Sequence, residues 1–158
     1  MALLIHLMTN TNNTKQENCL ARDKEFLSIY NDAVDFMLQN HVPDPFNSAL
    51  HWAIEHGQPH YNLSYNRAYR VVCQMLTEGD VAFTSPIRKM MWEEICEKVR
   101  ALMALRPTMS IAHALDFVLS HSRASRFFFT PRQAKRGILR CRKQRWQKLQ
   151  QTMKKHQF

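Results

Sequence analysis

The chain has 158 residues, 45% of them apolar, and 22 Lys and Arg stand against 13 Asp and Glu for a formal net charge of +9. That apolar content excludes disorder throughout. Three Gly and six Pro are too few turn residues for a sandwich or barrel, and no run nears the roughly 20 apolar residues of a membrane span, so an all-α fold is expected.

The opening run MALLIHLM is too short for a signal sequence and has no charged side chain before its apolar part. With the polar stretch that follows, it reads as a loose arm over residues 1–20. A first helix is expected over about 22–39, with Phe26, Ile29, Tyr30, Ala33, Val34 and Met37 on one face. Pro43 and Pro45 stop it. Asp44 should cap a second helix that turns Leu50, Ala53 and Ile54 inward and ends near Gly57. Ser64 should cap a third, over about 65–76, with Ala68, Val71, Val72 and Met75 on its apolar side. Gly79-Asp80 breaks the pattern and Ser85-Pro86 restarts it. The fourth helix runs to about Leu105 with Met91, Trp92, Ile95, Val99 and Leu102 inward. Ser110 opens a fifth, with Ile111, Ala114, Leu115, Val118 and Leu119 inward, and Thr130-Pro131 opens the sixth.

The second triplet of helices repeats the first. At an offset of 65, Tyr30 falls on Ile95, Ala49-Leu50 on Ala114-Leu115, Trp52 on Phe117 and His56 on His121. One extra residue in the second loop makes the offset 66, so that Tyr61 falls on Phe127, Ser64 on Thr130, Ala68 on Ala134 and Val72 on Ile138. A period of this size implies two tandem three-helix units rather than a solenoid. The expected organisation is an arm (1–20), a first unit (21–80), a second unit (81–143) and a basic C-terminal extension (144–158).

Charge is concentrated at one end. Residues 122–158 hold twelve Lys and Arg and no acid, whereas residues 1–121 hold ten basic and thirteen acidic residues. A surplus so placed is an electrostatic footprint, and nucleic acid is its commonest partner. A merely solvated helix more often mixes signs. On the sixth helix Arg132, Gln133 and Arg136 stand off the Ala134/Ile138 face, where Arg would pair with guanine edges and Gln with adenine. Lys135, Arg140, Arg142, Lys143, Arg145 and Lys148 run round the other faces and suit phosphates. Arg123 and Arg126 precede the helix, and the Thr130 cap offers main-chain N–H groups. The first unit offers Asn66, Arg67 and Arg70.

The strings Leu63-Ser64-Tyr65-Asn66-Arg67-Ala68-Tyr69-Arg70-Val71-Val72 and Phe129-Thr130-Pro131-Arg132-Gln133-Ala134-Lys135-Arg136-Gly137-Ile138 each resemble the start of a helix-turn-helix recognition helix. That resemblance implies a last helix lying in the major groove of duplex DNA. The linking turn departs from the family in being longer than three or four residues. The aromatic-Ser/Thr-x-x-x-Ala-x-Arg string is also similar to one found in small proteins of phages and bacterial mobile elements. DNA is therefore expected as partner in preference to RNA, with a helical adaptor docking on an acidic protein as the alternative.

Of Phe127-Phe128-Phe129, the repeat assigns the outer two to the core and leaves Phe128 as the candidate exposed ring, a stacking platform for single strands. Trp146, Leu149 and Met153 continue a thin apolar line that either folds back on the body or meets a protein partner or a second copy. Cys19, Cys73, Cys96 and Cys141 form no metal-ligand spacing and read as free thiols of a reducing, cytoplasmic setting. His51, His56 and His60 are poorly spaced for one helical face. No catalytic or phosphate-loop motif is present, so neither an enzyme nor a cofactor or metal is expected.

Overall fold

The structure, a computed structural model, describes residues 15–79 and 81–157. Among these residues the chain is all-helical: α1 Lys15–Gln39, α2 Pro45–His56, α3 Tyr65–Glu78, α4 Pro86–Leu105, α5 Ile111–His121 and α6 Pro131–Lys155. Residues 15–20, expected in the loose arm, form the first turns of α1, with Glu17 placed where its charge suits the helix N-terminus. The rest of that arm, residues 1–14, lies outside the described residues, as does Asp80.

Three of the expected caps form. Ser85, Ser110 and Thr130 accept from the main-chain N–H groups of Arg88, His113 and Gln133 at 3.5, 3.2 and 3.2 Å. Thr130 and Gln133 make a full capping box, because the Gln133 Oε1 also accepts from the Thr130 N–H at 2.9 Å. Asp44 does not cap α2 with its side chain. It sits in the left-handed region (φ 49°), whereas a side-chain cap needs extended backbone. Ser64 has that extended backbone, yet its hydroxyl makes no cap bond.

The helices group in space differently from their order in the chain. One core unites α1, α2 and α6 through Phe26, Tyr30, Ala49, Leu50, Ile54, Ala134 and Ile138. The other unites α3, α4 and α5 through Ala68, Val72, Trp92, Ile95, Val99, Leu115 and Val118. Neither α2 and α3 nor α5 and α6 touch. α3 thus packs with α4 and α5, and α6 with α1 and α2.

The connecting loops show how. Residues 57–64 and 122–130 cross each other, held by the Ala124 N–H on the Pro59 carbonyl (2.8 Å), the Phe127 N–H on the Ile54 carbonyl (2.9 Å) and Arg123 Nη1 on the Gln58 carbonyl (3.3 Å). Each loop carries an aromatic ring into the core its helix joins: Tyr61 enters the α3–α4–α5 core, and Phe127 and Phe129 enter the other. Phe26 meets the latter two edge-on at 5.1 Å each. The crossing leaves no room for a side chain at Gly57. A Cβ there would lie 2.6 Å from the Ala53 carbonyl oxygen and would run into the Phe127 ring.

Two ring pairs that the sequence alignment matched both stack on the surface. Trp52 stacks on His56 at 5.2 Å, and its counterpart Phe117 stacks on His121 at 4.7 Å. Where α6 meets α1 the two units differ. Asp23, 4% exposed, accepts from Arg140 Nε (3.0 Å) and Nη2 (3.3 Å) and pairs with Arg22 Nη2 (3.3 Å). A Cβ at Gly137 would stand 2.7 Å from the Asp23 Oδ1. Alanine normally stabilises a helix interior over glycine by about 0.5–1 kcal/mol. Here Gly137→Ala must displace a buried carboxylate with two cationic partners, so a lower Tm in a thermal melt is the expected outcome.

Candidate nucleic-acid interface

α6 is 25 residues long, about 37 Å at 1.5 Å per residue. Its first half is anchored. Ala134, Gly137, Ile138 and Cys141 are buried, and these residues recur at three- and four-residue steps along one face. Beyond Cys141 only Gln144 retains partial cover, and every residue from Arg145 to Lys155 is exposed. The helix therefore outruns the body, and its last turns project into solvent. The capping box supplies order at the start, and Lys154 and Lys155 suit the negative end of the helix dipole.

Along this helix Arg132, Lys135, Arg136, Arg140, Arg142, Lys143, Arg145 and Lys148 are all exposed. Among the described residues, Arg140 is the one of them in an ion pair. The hydrogen-bonded Asp23 carboxylate holds the Arg140 guanidinium above its ordinary value, so this cation is already neutralised in part and is not a free phosphate contact. Gln133 is exposed, but its Oε1 is held by the capping box. Bidentate pairing with adenine needs both amide atoms, so Gln133 cannot read adenine in that way while the cap persists. Thr130 likewise spends its hydroxyl on the cap.

The loop cations divide. Arg123 is exposed but donates to the Gln58 carbonyl. Arg126 is half-buried and its Nε donates to the Phe127 carbonyl at 3.2 Å. On α3, Asn66, Arg67 and Arg70 are exposed. α3 makes no contact with α6, so the two candidate recognition strings sit on separate cores. Arg67 and Arg126 line a cavity with Arg22 and Arg88, two residues that the sequence reading passed over. The repeat does not align them, since at its first-half offset of 65 Arg22 falls on Ile87.

No family model, curated protein or solved structure matches the chain. The site is therefore read from its own geometry. Among the described residues no helix is long and apolar enough to cross a membrane.

Two apolar expectations resolve. Phe127 and Phe129 are buried, 1% and 3% exposed. Phe128 is half-buried against the α3–α4–α5 core and does not stand free as a stacking ring. Trp146, Leu149 and Met153 do not fold back. They are exposed at 62%, 51% and 63%, and with Leu139 they follow seven-, three- and four-residue steps along one edge of α6.

Proposed function

We propose that the protein binds nucleic acid, duplex DNA in preference to RNA, through the cationic faces and projecting end of α6. The observation that carries this reading is the fate of the charge. Of the twelve Lys and Arg after Ser122, eleven are exposed, Arg126 being the exception, and no acidic residue follows Asp116. A single cationic helix fits the major groove of B-form DNA. The deep, narrow major groove of A-form RNA does not admit one.

The mechanism is phosphate neutralisation with release of bound counterions. Arg142, Lys143, Arg145 and Lys148 lie on the projecting half and engage the backbone. Sequence choice, where there is any, falls to Arg132 and Arg136, since Gln133 is committed to the cap. A mobility-shift titration with random duplex tests this. With about six phosphate contacts, affinity should fall about 10³-fold between 50 and 200 mM salt. No binding at low salt, or binding indifferent to salt, removes the reading.

The alternative, a helical adaptor, draws on the exposed line Leu139, Trp146, Leu149 and Met153. Apolar surface on an unpartnered helix suits a protein contact. The two readings separate in one experiment. Trp146→Ala should leave duplex affinity within about twofold, because an exposed ring off the cationic positions neutralises no phosphate.

A further inference from the structure

Between the crossing loops and helices α1, α3 and α4 lies a cavity of about 170 Å³. Four guanidinium groups line it: Arg22 from α1, Arg67 from α3, Arg88 from α4 and Arg126 from the second loop. No Asp or Glu is among its lining residues. Arg22 Nε and Arg88 Nη1 are fully buried and have no hydrogen-bond partner among the described residues. Other atoms of two of these groups are engaged, Arg22 Nη2 with Asp23 and Arg126 Nε with the Phe127 carbonyl. Burial, then the positive charges of Arg67 and Arg22, depress Arg88 below the ordinary guanidinium value.

Such an arrangement works against the fold if nothing else enters. Like charges are gathered in a half-enclosed space, and buried charged donors lack acceptors. A dense anion reverses every one of these costs. A single carboxylate offers one charge and two oxygens. A phosphate monoester offers up to two charges and three terminal oxygens, the geometry that guanidinium forks bind in pairs. The volume limits the occupant as well. Pockets that enclose drug-sized ligands run to roughly 300–1,000 Å³, so this cavity holds an ion or the end of a larger molecule, not a whole nucleotide.

We propose that the arginine-lined cavity between the crossing loops is a binding site for a phosphate monoester group, free or at the 5′ end of a nucleic-acid strand. The site draws its lining from α1, α3, α4 and both connecting loops. It does not depend on α6 binding DNA, because none of its four arginines lies on α6.

The experiment is a thermal melt of the full chain in inorganic phosphate against chloride at matched ionic strength, repeated with a nucleoside 5′-monophosphate. Phosphate at about a hundred times its Kd should raise Tm by about 5 °C or more. Arg88→Met should raise Tm in chloride, because it removes a buried like charge at similar volume, and should abolish the phosphate-specific rise. Arg67→Gln, at an exposed position that tolerates substitution, should at least halve that rise. Arg142→Ala should retain it in full. Fluorescence anisotropy with 5′-phosphorylated and 5′-hydroxyl oligonucleotides then separates the sources. A preference of about tenfold for the phosphorylated end, lost in Arg88→Met, assigns the site to strand ends. Equal binding of the two oligonucleotides beside an intact phosphate-dependent rise in Tm assigns it to free phosphate monoesters. No phosphate-specific rise in the wild type, or an undiminished rise in Arg88→Met and Arg67→Gln, overturns the proposal.

Discussion

Replacing Arg142, Lys143, Arg145 and Lys148 together by Ala should lower affinity for random duplex about 10²- to 10³-fold at 0.1 M salt. It should also flatten the slope of log affinity against log salt by about 3.6, near 0.9 for each phosphate contact removed. All four side chains are exposed and lie beyond the last fully buried residue of α6, Cys141. Exposed substitutions away from caps and cores change stability by about 0.5 kcal/mol or less, so the fold should be preserved and the loss should belong to the interface. Arg140→Ala makes the useful contrast. Its guanidinium is bound to Asp23 at 3.0 and 3.3 Å, so its removal should cost stability and leave the salt slope nearly unchanged. Anisotropy titrations at four salt concentrations, with circular dichroism as the control for folding, read both quantities. If the quadruple variant binds duplex as the wild type does, the end of α6 is not the contact surface.

The helices were legible because their signals are local. Apolar residues at three- and four-residue steps marked every inward face, and Ser85, Ser110 and Thr130 marked three starts that the structure caps as expected. The buried positions Ala49 and Leu50 match Ala114 and Leu115, and Ala68 matches Ala134, as the repeat aligned them. What could not be read was which helix joins which core. The repeat itself hides the answer. If α3 and α6 present the same apolar pattern, then either can fill the groove left by α1 and α2, and periodicity does not distinguish them. The distinction rests on single contacts across more than sixty residues, such as the Ala124 N–H on the Pro59 carbonyl. The interface suffered the same limit. The excess of Lys and Arg was visible as composition. The diversion of Arg140 to Asp23, of Gln133 to its cap, and of Arg67 and Arg126 to a cavity with Arg22 and Arg88 depends on tertiary neighbours.

Glu94→Ala should destabilise the fold by about 2–3 kcal/mol at pH 7, about 5–10 °C in Tm. Glu94 ties both crossing loops to α4. It accepts from the Tyr61 hydroxyl at 2.6 Å, from the Ser125 N–H at 3.0 Å and from the Ser125 hydroxyl, and it lies 3.4 Å from Lys98 Nζ. Burial acts to raise its pKa, but the hydrogen bonds from Ser125 and Tyr61 and the charge of Lys98 outweigh this and hold the carboxyl below its ordinary value. The sign of the pH dependence follows. A depressed folded pKa stabilises fully above the unfolded value, roughly 4.3 for Glu, and that contribution disappears as pH falls through the folded value. The Tm gap between wild type and Glu94→Gln should therefore shrink between pH 7 and pH 3, and a gap of constant size would mean that shape and not charge holds the loops. The same carboxylate also helps to decide which core each helix joins. Tyr61 finds an acceptor for its hydroxyl on α4, whereas Phe127, its counterpart in the repeat alignment, has no hydroxyl and packs edge-on against Phe26. Exchanging the two rings, Tyr61→Phe with Phe127→Tyr, adds a hydroxyl to the Phe127 ring and leaves Glu94 without its partner. The double variant should lower Tm, because the Tyr61 bond to Glu94 is lost and the tightly packed site of Phe127, 1% exposed, must admit an extra oxygen.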